Sequence, residues 1–212
     1  MSESDGRPRV RMTGRERREQ LIDVGRAVFA EKGFDGASIE EIAARAEVSK
    51  PVVYEHFGGK EGLYAVVVDR EMSCLLDRLS TSLSAGSPRE LAEQSALALL
   101  TYIEERTDGF RILSRDSSAA GGAGAFSSLL NDVAHQVEYV LVREFGESGI
   151  GTANAAMYAQ MLVGMVAVTG TWWLEERCPA REEVAAHIVN LGWNGLAHLE
   201  KEPRPLGRPA GS

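Results

Sequence analysis

Apolar residues recur every three or four positions along most of the chain, the spacing that places side chains on one face of an α-helix. Glycines, prolines and small polar residues separate these periodic segments. The pattern predicts helices at 15–32, 39–46, 50–57, 60–83, 88–106, 126–145, 152–176 and 180–199, with a shorter segment at 110–114. No segment shows the alternation of a β-strand with similar clarity. The sequence therefore predicts an all-α fold of about nine helices.

Two short helices early in the chain carry the clearest local signals. Ser38 and Glu41 have the spacing of a capping box, in which each side chain bonds to the backbone N–H of the other residue. Ser49 is a suitable N-cap for the second helix, and Pro51 falls in its first turn, where an N–H would have no helical partner. Two glycines then end that helix. The short connection between the helices predicts a helix-turn-helix over about 38–57.

This segment resembles the DNA-binding domain of the TetR family of bacterial transcriptional regulators. The matching residues cover roughly the first third of the chain and are Ala27, Phe29, Gly33, Phe34, Ser38, Ile42, Ala43, Val48, Ser49, Lys50, Tyr54, His56, Phe57, Lys60 and Leu63. The turn has Glu47 where the family usually has glycine, and a left-handed backbone there would cost on the order of 1 kcal/mol. The resemblance implies an N-terminal three-helix DNA-binding domain and a C-terminal helical domain for ligand binding and dimerisation.

Eight residues in and beside this motif are candidates for DNA contacts. They are Ser38, Ser49, Lys50, Pro51, Val52, Tyr54, His56 and Lys60. In an arbitrary protein such residues are more often solvated surface, but their place on the second helix of a helix-turn-helix favours DNA. In the family, the matching positions contact phosphates or base edges. Pro51 and Val52 replace the glycine and small residue that are common there, so the base contacts are expected to be particular to this chain.

The net charge of −8 is unevenly distributed. Residues 1–60 carry 11 Lys/Arg and 11 Asp/Glu, whereas residues 61–212 carry 12 and 20. Between positions 7 and 18, six arginines accompany one glutamate, a local charge of +5. A basic arm ahead of a helix-turn-helix is suited to phosphate contacts, and it can be disordered alone and ordered on DNA. The acidic total therefore does not exclude DNA binding.

These patterns divide the chain into four parts. We expect a disordered basic arm at 1–12, a DNA-binding domain at 13–60, a ligand-binding and dimerisation domain at 61–200, and a disordered tail at 201–212. Three prolines and two glycines mark the tail.

A stripe of bulky apolar residues on the predicted helix 152–176 indicates a cavity wall or a packed core. At 100° per residue, Trp172 shares this stripe with Met161 and Met165, and Trp173 points about 100° away. Both explanations are open, and the family's habit of binding ligands between helices supports a mostly apolar cavity. The candidate lining is Met72, Leu76, Tyr102, Phe110, Phe126, Tyr139, Tyr158, Met161, Met165 and Trp172.

A second stripe on the same predicted helix holds small residues, which permit close approach of another helix. They are Ala153, Ala156, Gly164, Ala167 and Thr171, and the last helix offers Val184, Ile188, Leu191, Gly195 and Leu199 on one face. Two such helices from each of two chains can form a four-helix interface across a two-fold axis. The resemblance implies the same homodimer.

No nucleophile elbow, phosphate-binding loop or paired metal-ligand motif occurs, so we expect neither an enzyme nor a metal or cofactor site. No run approaches 18 apolar residues and no secretory signal opens the chain, so no membrane span is expected. The prediction is a cytoplasmic homodimeric repressor, released from an inverted-repeat DNA operator by a small, mostly apolar inducer. An activator, or a helical ligand-binding adaptor without DNA affinity, stays open as an alternative.

Overall fold

The computed structural model describes residues 12–83, 86–119, 124–149 and 151–200. Within these residues every regular element is helical, which confirms the all-α prediction. The helices are α1 Gly14–Gly36, α2 Ile39–Arg45, α3 Lys50–Phe57, α4 Lys60–Ser82, α5 Pro88–Glu105, α6 Thr107–Ala119, α7 Ala125–Ser148, α8 Ala155–Glu176 and α9 Arg181–Ala197, with a 3₁₀ turn at Thr152–Asn154. The predicted arm, apart from Met12, and the predicted tail lie outside the described residues.

The chain divides into two compact units within α4, after Arg70, whereas the boundary predicted from sequence follows Lys60, the first residue of that helix. In the first unit, α1 begins with a capping box between Thr13 and Glu16 and is interrupted at Gly33, which has a φ of 72°. Its apolar face packs with those of the next three helices. Fully buried members of this core are Leu21, Ile22, Phe29, Ile42, Val53 and Leu63.

The second unit contains the end of α4 and the helices α5 to α9. Helix α5 begins at Pro88, the start predicted from sequence, and a capping box between Ser87 and Glu90 covers its first turn. Helix α6 runs for 13 residues, which is longer than the short segment predicted at 110–114. A close approach of α8 to α5 requires Gly170, because a Cβ there would lie 3.0 Å from Cδ1 of Ile103.

A buried ionic cluster holds α4, α5 and the start of α6 together within this unit. The Glu71 side chain is 1 % exposed, and its carboxylate accepts hydrogen bonds from Nε of Arg106 at 2.8 Å and from Nη2 at 2.5 Å. The Tyr102 hydroxyl donates a third bond at 2.8 Å. Burial, together with the Glu71 carboxylate, raises the pKa of Tyr102, so this hydroxyl stays a donor at neutral pH. Gly109 makes room, because a Cβ there would lie 2.1 Å from Oε2 of Glu71.

None of the helices in the described part of the chain combines the length and the apolar character that crossing a membrane requires.

Candidate DNA interface and ligand cavity

The turn between α2 and α3 is built by backbone hydrogen bonds and by one left-handed residue. Glu47 has a φ of 54°, the conformation for which the family usually has glycine. The N–H of Val48 donates to the carbonyl of Ala43 at 2.9 Å, and the amide of Gln20 on α1 donates to the carbonyl of Ala46 at 3.2 Å. These bonds satisfy carbonyls that the end of α2 would otherwise leave without a partner.

Helix α3 is short, and the rest of its unit fixes its orientation. Val53 is fully buried and anchors the helix to the core. Arg18 on α1 donates to the carbonyl of His56 at 2.7 Å, and its guanidinium lies 4.4 Å from the centre of the Phe57 ring. Gly58 ends the helix with a φ of 74°. The eight residues of α3 are therefore held at the middle and at the C-terminal end of the helix, which leaves one face free for another molecule.

That free face carries most of the predicted DNA contacts. Ser49, Lys50, Pro51 and Tyr54 are exposed, and Val52 is half-buried. Ser49 occupies the N-cap position as predicted, but its hydroxyl makes no capping bond. The N-terminal residues of a recognition helix are those that reach base edges in the major groove.

Lys50 forms an ion pair with Glu40 on α2, and both side chains are exposed. This hydrogen bond from Lys50 holds the pKa of the Glu40 carboxyl below its usual range. A DNA phosphate that binds Lys50 would therefore replace a carboxylate of the same chain.

Ser38 and His56 lie at the two ends of the motif and are half-buried. The Ser38 hydroxyl accepts from the N–H of Glu41 at 3.2 Å, so half of the predicted capping box is present. Within this described helix, the Glu41 carboxylate does not accept from the N–H of Ser38, which would be the other half of the box. It pairs instead with Lys32 at 2.7 Å and Arg45 at 2.6 Å. A cation on α1 and one on α2 itself compete successfully with a backbone N–H for this carboxylate.

Lys60 has a structural role that the sequence did not predict. Its ammonium donates to the carbonyls of Phe34 at 2.9 Å and Ala37 at 3.2 Å, and it lies 4.4 Å from the centre of the Phe34 ring. Two of its three hydrogens are thereby used within the unit. A phosphate contact from Lys60 stays a prediction, with one hydrogen left to make it.

We expect Lys60→Met to destabilise the first unit by roughly 1–3 kcal/mol, because two carbonyls lose a charged donor and the Phe34 ring loses a cation. Denaturant unfolding followed by circular dichroism measures this loss. Lys50→Met is the matched control: its exposed ion pair should change stability by less than about 1 kcal/mol. Equal stability of both variants would show that the Lys60 contacts are not energetically significant.

A cavity of about 390 Å³ lies in the second unit, surrounded by residues of α4, α5, α7, α8 and α9. This volume is in the range of small-molecule sites. Leu79 of α4 and Leu83 just after it contribute one wall, and α7 contributes the largest part. The α7 side chains include Leu129, Leu130, Val133, Val137, Val140 and Leu141.

Two of the ten predicted ligand-binding residues, Phe126 and Met165, line this cavity. Phe110 is buried between the rings of Tyr102 and Phe126, with ring centres 6.5 and 5.6 Å away. Tyr158 packs edge-to-face on Phe145. The remaining predicted residues also lie outside the lining: Met72 and Leu76 are half-buried on α4, Tyr102 binds Glu71, and Tyr139, Met161 and Trp172 are exposed.

The inference that Trp172 rather than Trp173 points inward is wrong. Trp172 is 50 % exposed, whereas Trp173 is 2 % exposed and donates its indole N–H to the carbonyl of Pro179 at 2.8 Å. The buried face of α8 is formed by Ala155, Ala159, Val163, Ala167, Gly170, Trp173 and Leu174, so of the predicted small-residue stripe only Ala167 lies on it. Small side chains allow neighbouring helices to approach closely, so the bulkier stripe is left outside.

The contribution of α9 to the cavity was also missed. Ile188, Val189, Gly192, Trp193 and Leu196 line it, although the sequence pattern assigned this helix to a dimer interface alone. The spacing of these residues is a regular helical stripe, so the signal was present. A helix with two apolar faces gives no indication of which face is internal.

A helix-turn-helix unit followed by a helical unit with an internal cavity defines a class of proteins, the helix-turn-helix transcriptional regulators. A family model described as "Bacterial regulatory proteins, tetR family" matches residues 21–67. A second model, "Tetracyclin repressor-like, C-terminal domain", matches residues 78–207. The chain belongs to the TetR family.

Individual relatives agree with this assignment. The transcriptional activator FasR of Mycolicibacterium smegmatis is 29% identical over 187 residues, which are 87% of this chain and 84% of that protein. The repressor DhaR of a Mycobacterium species is 36% identical over 70 residues, 33% of this chain and 35% of that protein. A TetR-like regulator from Rhodococcus sp. RHA1 has the same fold, with a TM-score of 0.73 and 24% identity, over 89% of this chain and all of that one. The protein is thus a DNA-binding transcriptional regulator rather than an enzyme or an adaptor.

Proposed function

We propose that this regulator is a cytoplasmic homodimeric repressor that a small apolar ligand releases from its operator. The observation that carries the proposal is the cavity in the second unit of a chain whose first unit is a helix-turn-helix. A ligand that binds more tightly to a state unable to hold DNA weakens operator binding. By linkage, the operator weakens ligand binding by the same factor.

We propose that the exposed start of α3 reads the operator through Ser49, Lys50, Pro51, Val52 and Tyr54. Lys50 has the donors to contact a guanine edge or a phosphate, and the apolar Pro51 and Val52 suit a thymine methyl group. Ser38, His56 and the last hydrogen of Lys60 are candidates for phosphate contacts.

The apolar face of α8 supports the dimer. Met157, Met161, Val168 and Trp172 are exposed, and at 100° per residue they lie within about 60° of one another. Gly164 is on the same stripe, and a Cβ there would meet no atom within 4 Å. Exposed stripes of this kind usually mark an interface between proteins. A second copy of the same stripe across a two-fold axis would cover it.

Activation is the second candidate function, because FasR, a relative matched over most of the chain, is named an activator, and the repressor DhaR matches only the first third. In vitro transcription from a promoter that carries the operator separates the two. A repressor lowers the amount of transcript when protein is added without ligand, whereas an activator raises it.

Selection from random duplexes should enrich an inverted repeat, because two-fold symmetric reading heads recognise two-fold symmetric DNA. The affinity should fall steeply with salt, since each neutralised phosphate releases counterions. Lys50→Ala should reduce the slope of log K against log[salt] by about one for each subunit if Lys50 binds phosphate. Arg89→Ala, an exposed change on α5, is the control and should leave the slope unchanged. Enrichment without any inverted repeat would contradict the proposal.

A further inference from the structure

In the described cavity wall, the charge of the side chains is of one sign only, negative. Among the described lining residues the only ionisable side chain is Glu144, and the other polar side chains are Ser95, Ser148 and Trp193. Glu144 lines the cavity, and its side chain is 33 % exposed. A carboxylate ligand in this cavity would meet an anion and no cation among these residues.

Most of the helix ends that border the cavity add to the negative electrostatic potential that Glu144 creates there. Leu83, Ser148 and Ala197 line it where α4, α7 and α9 end, and helix C-termini carry partial negative charge. Two N-termini also border the cavity, that of α5 at Pro88 and that of α7 at Phe126. The first turn of α5 is already covered, because the Glu90 carboxylate accepts from the N–H of Ser87 at 2.8 Å. Three C-termini therefore border the cavity against one N-terminus without a side-chain cap.

The nearest cation to Glu144 lies outside the cavity. Nη2 of Arg143 is 3.3 Å from Oε1 of Glu144, but the Arg143 side chain is exposed and does not line the wall. An ammonium group inside the cavity can therefore share the Glu144 carboxylate with Arg143, while a carboxylate group would have to displace Glu144 to reach that guanidinium.

We infer that the cavity binds a single-chain cationic amphiphile, with an aliphatic chain along the apolar wall and a hydrogen-bond-donating ammonium group at Glu144. This inference rests on the proposed function of the cavity as the effector site. The expected order of affinity at equal chain length is ammonium, then alcohol, then carboxylate.

The test uses the full-length protein with decylammonium, 1-decanol and decanoate, each below its micelle concentration at pH 7. Isothermal titration calorimetry measures affinity, and the fluorescence of Trp193 gives a second readout at the site. We expect decylammonium to bind roughly three- to tenfold more tightly than decanol, with decanoate the weakest. Glu144→Gln should remove the advantage of the ammonium group. Glu147→Gln, an exposed change on the same helix and outside the lining, should leave the order unchanged.

Two results would overturn the inference. One is decanoate binding as tightly as decylammonium, and loss of that binding in Arg143→Gln would show that the head group pairs with Arg143. The other is the absence of binding by all three compounds. Operator release is measured separately by a gel-shift assay. Binding in the expected order without release would contradict the proposed effector function while supporting the assigned selectivity.

Discussion

Replacing Val168 by glutamate is expected to convert the protein from a dimer to a monomer and to reduce operator affinity by about 10²–10⁴-fold. Val168 is 71 % exposed in the middle of the apolar stripe of α8, so a single chain tolerates a glutamate there. In the proposed dimer, the glutamate would be buried without a cationic partner against the same stripe of the second copy. Two linked reading heads bind one operator far more tightly than one, because the second contact is made at high effective concentration. Sedimentation analysis gives the mass, and fluorescence anisotropy with labelled operator gives the affinity.

The choice of position matters for this test. Gly164→Glu is an equivalent variant, since the glycine has open space around it. Ala167→Glu is not, because Ala167 is 5 % exposed inside its own subunit and the variant would damage the fold. Gln94→Glu on α5 adds the same charge at an exposed position and is the control. A dimer that survives both Val168→Glu and Gly164→Glu would place the interface elsewhere.

Arg106→Ala should lower the free energy of unfolding of the second unit by roughly 3–5 kcal/mol, because it removes the guanidinium that donates two hydrogen bonds to the buried Glu71 carboxylate. The three tryptophans all lie in this unit, so denaturant unfolding followed by fluorescence reports on it. Arg111→Ala is the matched control. Its guanidinium lies 3.5 Å from the exposed Glu175, and loss of such a surface pair should cost less than about 1 kcal/mol.

A double variant tests the cause of that loss. Replacing Glu71 and Arg106 together by leucine removes the charge along with its partner, so part of the stability should return. If the double variant is less stable than Arg106→Ala, the packing of the Arg106 side chain accounts for the effect and the ion pair does not.

Much of the N-terminal unit could be predicted because its signals are local. A capping serine, a proline in a first turn and glycines at a helix end act within four residues along the chain. The position of α3 follows from such signals, whereas the left-handed turn at Glu47 was indicated only by the glycine usual in the family at that position. The role of Lys60 does not, because its two carbonyl partners lie 26 and 23 residues away in sequence.

The buried ionic cluster was not predicted either, although the sequence contains one indication of it. Glu71 falls on the stripe of α4 that also holds Leu63, Val67, Leu75 and Leu79, all of which are buried. A carboxylate in such a stripe indicates a buried partner, but Arg106 lies 35 residues further on and nothing local identifies it.

The sequence by itself determined that the chain is helical, where most helices begin and end, and which segment is the helix-turn-helix, since periodicity and capping depend on neighbours along the chain. The tertiary structure alone decided which side of α8 is internal, that Trp173 rather than Trp172 is buried, and that α9 closes the cavity. Periodicity gives the angle between side chains on one helix but not the direction from which its neighbours approach. In α8 more than one face is apolar, and packing against the neighbouring helices buried a face that matches neither predicted stripe.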